Sequence, residues 1–144
     1  MIRYYLPVVL IVGSNALYHI CSKEINQKLN PMLALMATYI VAFVVTFILY
    51  LLIGHPAKAE LAEQIKLINW APLALGLFVV GLEAGFIYLY RVGWDISIGS
   101  LVCNILLAIV LIGIGVLLYK EQISRQQLLG IVLCVAGLIF VNKK

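Results

Sequence analysis

The chain has 144 residues, 65% hydrophobic and 11% charged, with ten Lys and Arg against six Asp and Glu. A soluble domain runs near half apolar and a quarter charged, and one of this size cannot hide so much apolar surface in a single core. Disorder is excluded and an ordinary soluble enzyme is not expected. The formal charge of +4 does not point to nucleic acid, because the basic residues are distributed between long apolar runs.

A membrane-crossing helix needs about 20 mostly apolar residues. Taken in chain order, the first such run is residues 5–22. It follows Arg3 as a secretion signal would, but no small-x-small cleavage site comes after it, so it reads as a retained span. Lys23–Pro31 closes a turn, with Asn30-Pro31 as the start signal of a second span at 32–53, which holds no charged residue. Gly54–Trp70 is the one long connection. Leu61, Ala62, Ile65 and Ile68 share a helical face there, which fits an interfacial helix over 57–69 with Trp70 at headgroup level; a solvated linker fits the same residues. A third span covers 71–90, a fourth 97–119 and a fifth 126–142, with tight turns at Arg91–Ile96 and Lys120–Arg125. The expected fold is a single all-α membrane domain over 1–144. Cys21, Cys103 and Cys134 have no CxxC or metal spacing and read as small buried hydrophobes.

Within the spans, Glu83 is the one acidic residue well inside the apolar region. An ionised carboxylate at such depth costs on the order of 3 kcal/mol on insertion scales. A group that is neutral on insertion and ionises when a cation arrives suits proton-coupled exchange, with proton and substrate competing for one carboxyl. A structural Glu bonded to a neighbouring helix is the competing reading.

The first span carries Ser14, Asn15, Tyr18, His19 and Ser22 on one face, expected to turn inward to line a pathway or to stitch helices together. His19 is either a proton relay or an interfacial residue. Ser97, Ser100 and Asn104 repeat the pattern in the fourth span, with Asn104 deep enough to need a partner. Tyr90 lies seven residues beyond Glu83, near the same face, and either holds a cation by its ring or anchors the helix end. Gly81 and Gly85, and Gly130 and Gly137, would admit close helix approach or a dimer contact. No zinc spacing, phosphate-binding glycine loop or nucleophile–base set appears, so no cofactor, metal or enzymatic activity is expected.

Five spans place the termini on opposite sides. One side then holds Arg3, Lys58, Lys66, Lys120 and Arg125, and the other Lys23, Lys28, Arg91, Lys143 and Lys144. The excess of Lys and Arg that normally orients a membrane protein is missing. Such a chain can insert either way up, and two opposed copies can pair; a tie decided by a few residues at insertion is the alternative.

The order and spacing of several short motifs resemble an EamA-type unit of the drug/metabolite transporter superfamily. Gly13-Ser14-Asn15 followed by Lys23 resembles its opening, and Tyr88-x-Tyr90-Arg91-x-Gly93 the end of its third helix. Gly115 to Gly137, with Glu121 after the fourth helix, resembles its closing signature. Relatives often carry a proline about 13 residues before that glutamate; here the position is Ala108. The resemblance implies a secondary transporter in a prokaryotic inner membrane, taking a small metabolite or an amphipathic or cationic compound. Most members have ten helices as two inverted five-helix units. One unit alone would complete that plan as an antiparallel homodimer, with Ser14, Asn15, Tyr18, Asn104 and Glu83 lining a midplane site. The more distantly similar small multidrug resistance exporters carry a glutamate in the first helix, where this chain has none, so their ion coupling is not copied here. Glu121 reads as a structural cap or an ion pair with Lys120. Translocation of a lipid or lipid-linked sugar, and a non-transporting accessory subunit, are the rival functions.

Overall fold

A computed structural model describes residues 2–53, 58–122 and 124–141. Its elements are six helices: α1 (Ile2–Glu24), α2 (Pro31–Ile53), α3 (Lys58–Lys66), α4 (Trp70–Arg91), α5 (Ile96–Leu117) and α6 (Arg125–Val141). No strand occurs among the described residues. Among the described residues, four helices are long and apolar enough to cross a membrane: Tyr4–Glu24, Pro31–Ile53, Trp70–Arg91 and Ile96–Leu117. With 17 residues, α6 is about 25 Å long, at the short limit for a span. Large apolar side chains stand exposed on these helices, Phe43 at 70% and Leu73 at 74%. In water such surface would drive aggregation; in hydrocarbon it costs nothing.

Two compact units divide the chain, one of Cys21–Arg91 and one of the residues up to Ile20 and from Val92 onward. In the Cys21–Arg91 unit, helix starts follow from local chemistry. Asn30 caps α2, its side-chain oxygen accepting from the Met32 N–H at 2.8 Å, and Pro31 takes the first helical position, where no N–H is needed. Asn69 caps α4 in the same way, accepting from the Ala71 N–H at 3.0 Å. Before α2 the chain turns at Asn26, whose carbonyl accepts from Leu29 N–H at 3.0 Å. Arg91, at the end of α4, donates from one guanidinium nitrogen to the carbonyls of Asn26 and Leu29. That clamp sets the C-terminus of α4 against the N-terminus of α2, so the two helices run antiparallel. They pack through Ala34 and Leu35 on one side and Ile87 and Tyr90 on the other, the buried apolar residues of the unit.

In the second unit α5 packs on α6. The fourth span is shorter than its apolar run suggests. The helix ends at Leu117, and Leu118 and Tyr119 continue it only as capping turns. Lys120 takes a left-handed conformation (φ 54°), which stops the helix and folds Glu121 back so that its N–H donates to the Gly115 carbonyl at 3.0 Å. A reciprocal capping box then starts α6. Gln127 N–H donates to Ser124 Oγ at 3.2 Å, and Ser124 N–H to Gln127 Oε1 at 2.8 Å. In the segment expected to hold an interfacial helix, α3 covers Lys58–Lys66, while residues 54–57 lie outside the described residues.

Candidate functional site

Glu83 is the fourteenth of the 22 residues of α4, about 20 Å along the axis from Trp70 and about 12 Å from Arg91. Its side chain is half-buried and shares a helical face with Ile87 and Tyr90, the face turned to α2. One turn beyond Leu35, α2 presents Tyr39 there. The Tyr39 hydroxyl faces and interacts with the Glu83 carboxyl. It is buried and closes no hydrogen bond of ordinary length. A phenol and a carboxyl, set against each other inside two antiparallel spans, can hold a proton between helices and release it when the carboxyl gains another partner.

Tyr39 escaped the sequence reading because Tyr39, Thr46 and Tyr50 are uncharged side chains ordinary in a membrane helix, and nothing on α2 itself singles one of them out. The signal lies in the hairpin register. Once the residues before α2 are tied to Arg91, position 39 falls opposite position 83.

Two turns from Glu83, Tyr90 is about 10 Å away along the helix axis. It is only 5% exposed and stacks on Phe86 at 6.1 Å, which removes it from the lipid-facing anchor role. Tyr88, further round, is 51% exposed. No atom of a neighbouring element among the described residues lies within 4 Å of where a Cβ on Gly81 or Gly85 would sit, so these glycines admit no close helix approach within the unit.

The polar stripe of α1 divides. Ser14 and Asn15 are exposed, Tyr18 is half-buried, and His19 and Ser22 are buried. Tyr18 and His19 meet edge to face at 5.2 Å. The inward turn expected of the whole stripe therefore holds within the chain only for its C-terminal half. In α5 the Ser100 hydroxyl donates to the Ile96 carbonyl at 2.6 Å, satisfying itself within its own helix, and Ser97 is exposed. Asn104 is exposed on a cavity of about 480 Å³ between α5 and α6. The expected partner of Glu121 is absent, since no ion pair with Lys120 occurs among the described residues. The capping half of that reading holds through the Glu121 backbone. No group of three or more metal-ligating side chains occurs among the described residues.

Fold and site together define a multi-pass helical membrane protein with a carboxyl inside one of its spans. The sequence profile of the EamA-like transporter family matches residues 3–143, and the chain belongs to that family. No curated protein and no solved structure matches it.

Proposed function

We propose that the chain is a secondary transporter that exchanges protons for a small metabolite or an amphipathic or cationic compound at Glu83. The observation that carries this reading is the Glu83–Tyr39 pair between α2 and α4. A carboxyl of that depth is retained at a cost on the order of 3 kcal/mol, which favours a working group over a decorative one. Proton and substrate compete for it, so one cannot occupy it until the other leaves, and with access alternating between the two sides that competition couples their movements.

The working form is an antiparallel homodimer of two five-span units, with α6 as the fifth span. Ser14 and Asn15 support this, because polar side chains exposed from a span of one chain gain cover from a second. The even distribution of Lys and Arg between the two sides supports it independently.

The test is flux into proteoliposomes containing only this chain, driven by an imposed proton gradient. Glu83→Gln keeps shape and neutral hydrogen bonding but cannot release a proton. Its flux should collapse while the protein still inserts and folds. A Gln variant transporting at the wild-type rate with an unchanged pH profile would make Glu83 structural.

A further inference from the structure

The second carboxyl, Glu121, lies outside the spans and plays no part in the exchange described above. Its side chain folds back on the last turn of α5. A Cβ placed on Gly115 would come within 2.5 Å of Glu121 Oε2 and 3.2 Å of its carboxyl carbon. The C-terminal turn of a helix carries the negative end of the helix dipole, so a carboxylate there is held where its own charge is disfavoured. No basic side chain among the described residues pairs with it to offset that. Yet the position is fixed by the backbone, through the left-handed Lys120 and the bond from Glu121 N–H to the Gly115 carbonyl.

What the carboxylate borders is an open cavity of about 480 Å³ lined by α5, Glu121, Gln122 and α6. That volume falls in the range of small-molecule sites. Its wall on α5 is formed by Ile105, Ala108, Ile109 and Ile112, with Asn104 the one polar residue there, and Glu121 is the one charged residue among the described residues lining it. Gln127 also lines it but commits its side-chain oxygen to capping α6. The cavity thus combines a largely apolar wall with a single anionic end. Glu121 remains exposed, so a ligand can reach it.

We propose that this cavity binds a small primary ammonium compound, its ammonium on the Glu121 carboxylate and its apolar part against α5. Such a ligand supplies a positive charge, donates hydrogen bonds to the carboxylate and fills the apolar volume. The site stands apart from Glu83, on the other helix pair and beyond the end of α5.

The test is saturation binding of radiolabelled phenethylammonium to the full chain in phosphatidylcholine nanodiscs, with 2-phenylethanol as the neutral competitor. Saturable binding should weaken about tenfold or more in Glu121→Gln, where a charge-assisted contact becomes a neutral one. It should persist in Glu83→Gln and resist 2-phenylethanol. Ala108→Phe keeps the carboxylate but fills the cavity, so it should abolish binding, and it decides the matter should Glu121→Gln fail to fold. Absence of saturable binding, retention in Glu121→Gln or Ala108→Phe, loss in Glu83→Gln, or displacement by 2-phenylethanol would each overturn the proposal.

Discussion

The α2–α4 pair and the α5–α6 pair each hold a carboxyl group, and they hold it by opposite means. In the first, Arg91 ties the hairpin shut, Ala34, Leu35, Ile87 and Tyr90 close the interface, and Glu83 meets Tyr39 one turn further in. In the second, the helices leave an opening between them, and Glu121 stands at its edge on a turn fixed by backbone geometry. Depth decides the chemistry. A carboxyl within a span is costly to ionise, whereas one at a helix end is open to water. In the functions proposed above, the same residue type serves exchange in one pair and charge attraction in the other.

The largest effect expected from breaking this contrast is on flux. Glu83→Gln should lower proton-driven uptake by about a hundredfold, the usual scale for removing a positioned acid–base group, and flatten its pH dependence. Glu83→Asp should keep part of the flux. Uptake assays across pH in proteoliposomes check both. Next comes the clamp. Arg91→Ala removes two hydrogen bonds from a charged donor and should lower resistance to denaturant by about 1–3 kcal/mol, loosening α2 from α4. An Arg91→Ala variant as stable as the wild type would mean that the apolar interface alone holds the hairpin.

A smaller loss is expected on the other pair. Ser124→Ala removes the cap of α6 and should cost about 1 kcal/mol in the same unfolding measurement. Because the cap lies next to the cavity, it should also weaken phenethylammonium binding more than it alters flux. The smallest effect belongs to Gly115→Ala. The new Cβ displaces the Glu121 carboxyl, which is the free end of a flexible side chain, while Ala is favoured over Gly in a helix by about 1 kcal/mol. Stability should change little, and a large loss would show that Glu121 is locked in place. Orientation sharpens the comparison from outside: accessibility of a C-terminal tag in whole cells should be found on both faces, and a single orientation would remove the antiparallel homodimer.

The sequence by itself determined the helices and their class. Apolar runs of 17 to 23 residues separated by Asn-Pro, Gly and Lys turns leave no alternative in a membrane, where every backbone group must be bonded within its own helix. The helices begin and end within about three residues of the apolar runs for that reason, and Glu83 was conspicuous because charge is costly in hydrocarbon. Tyr39 was not, since a phenol is tolerated on any apolar helix. Only the antiparallel register of α2 and α4, set by Arg91 reaching the turn before α2, places it opposite Glu83. Nor did periodicity reveal which half of the α1 stripe is buried, because burial depends on what packs against a face and not on the face alone. The end of α5 is the sharpest case. Apolar character continues through Leu118 and Tyr119, yet the helix stops, because a left-handed backbone at Lys120 and the returning Glu121 N–H satisfy its last carbonyls. Hydropathy records where a chain is comfortable in lipid. Where its side chains meet is settled by contacts between residues far apart in sequence, which one-dimensional spacing does not contain.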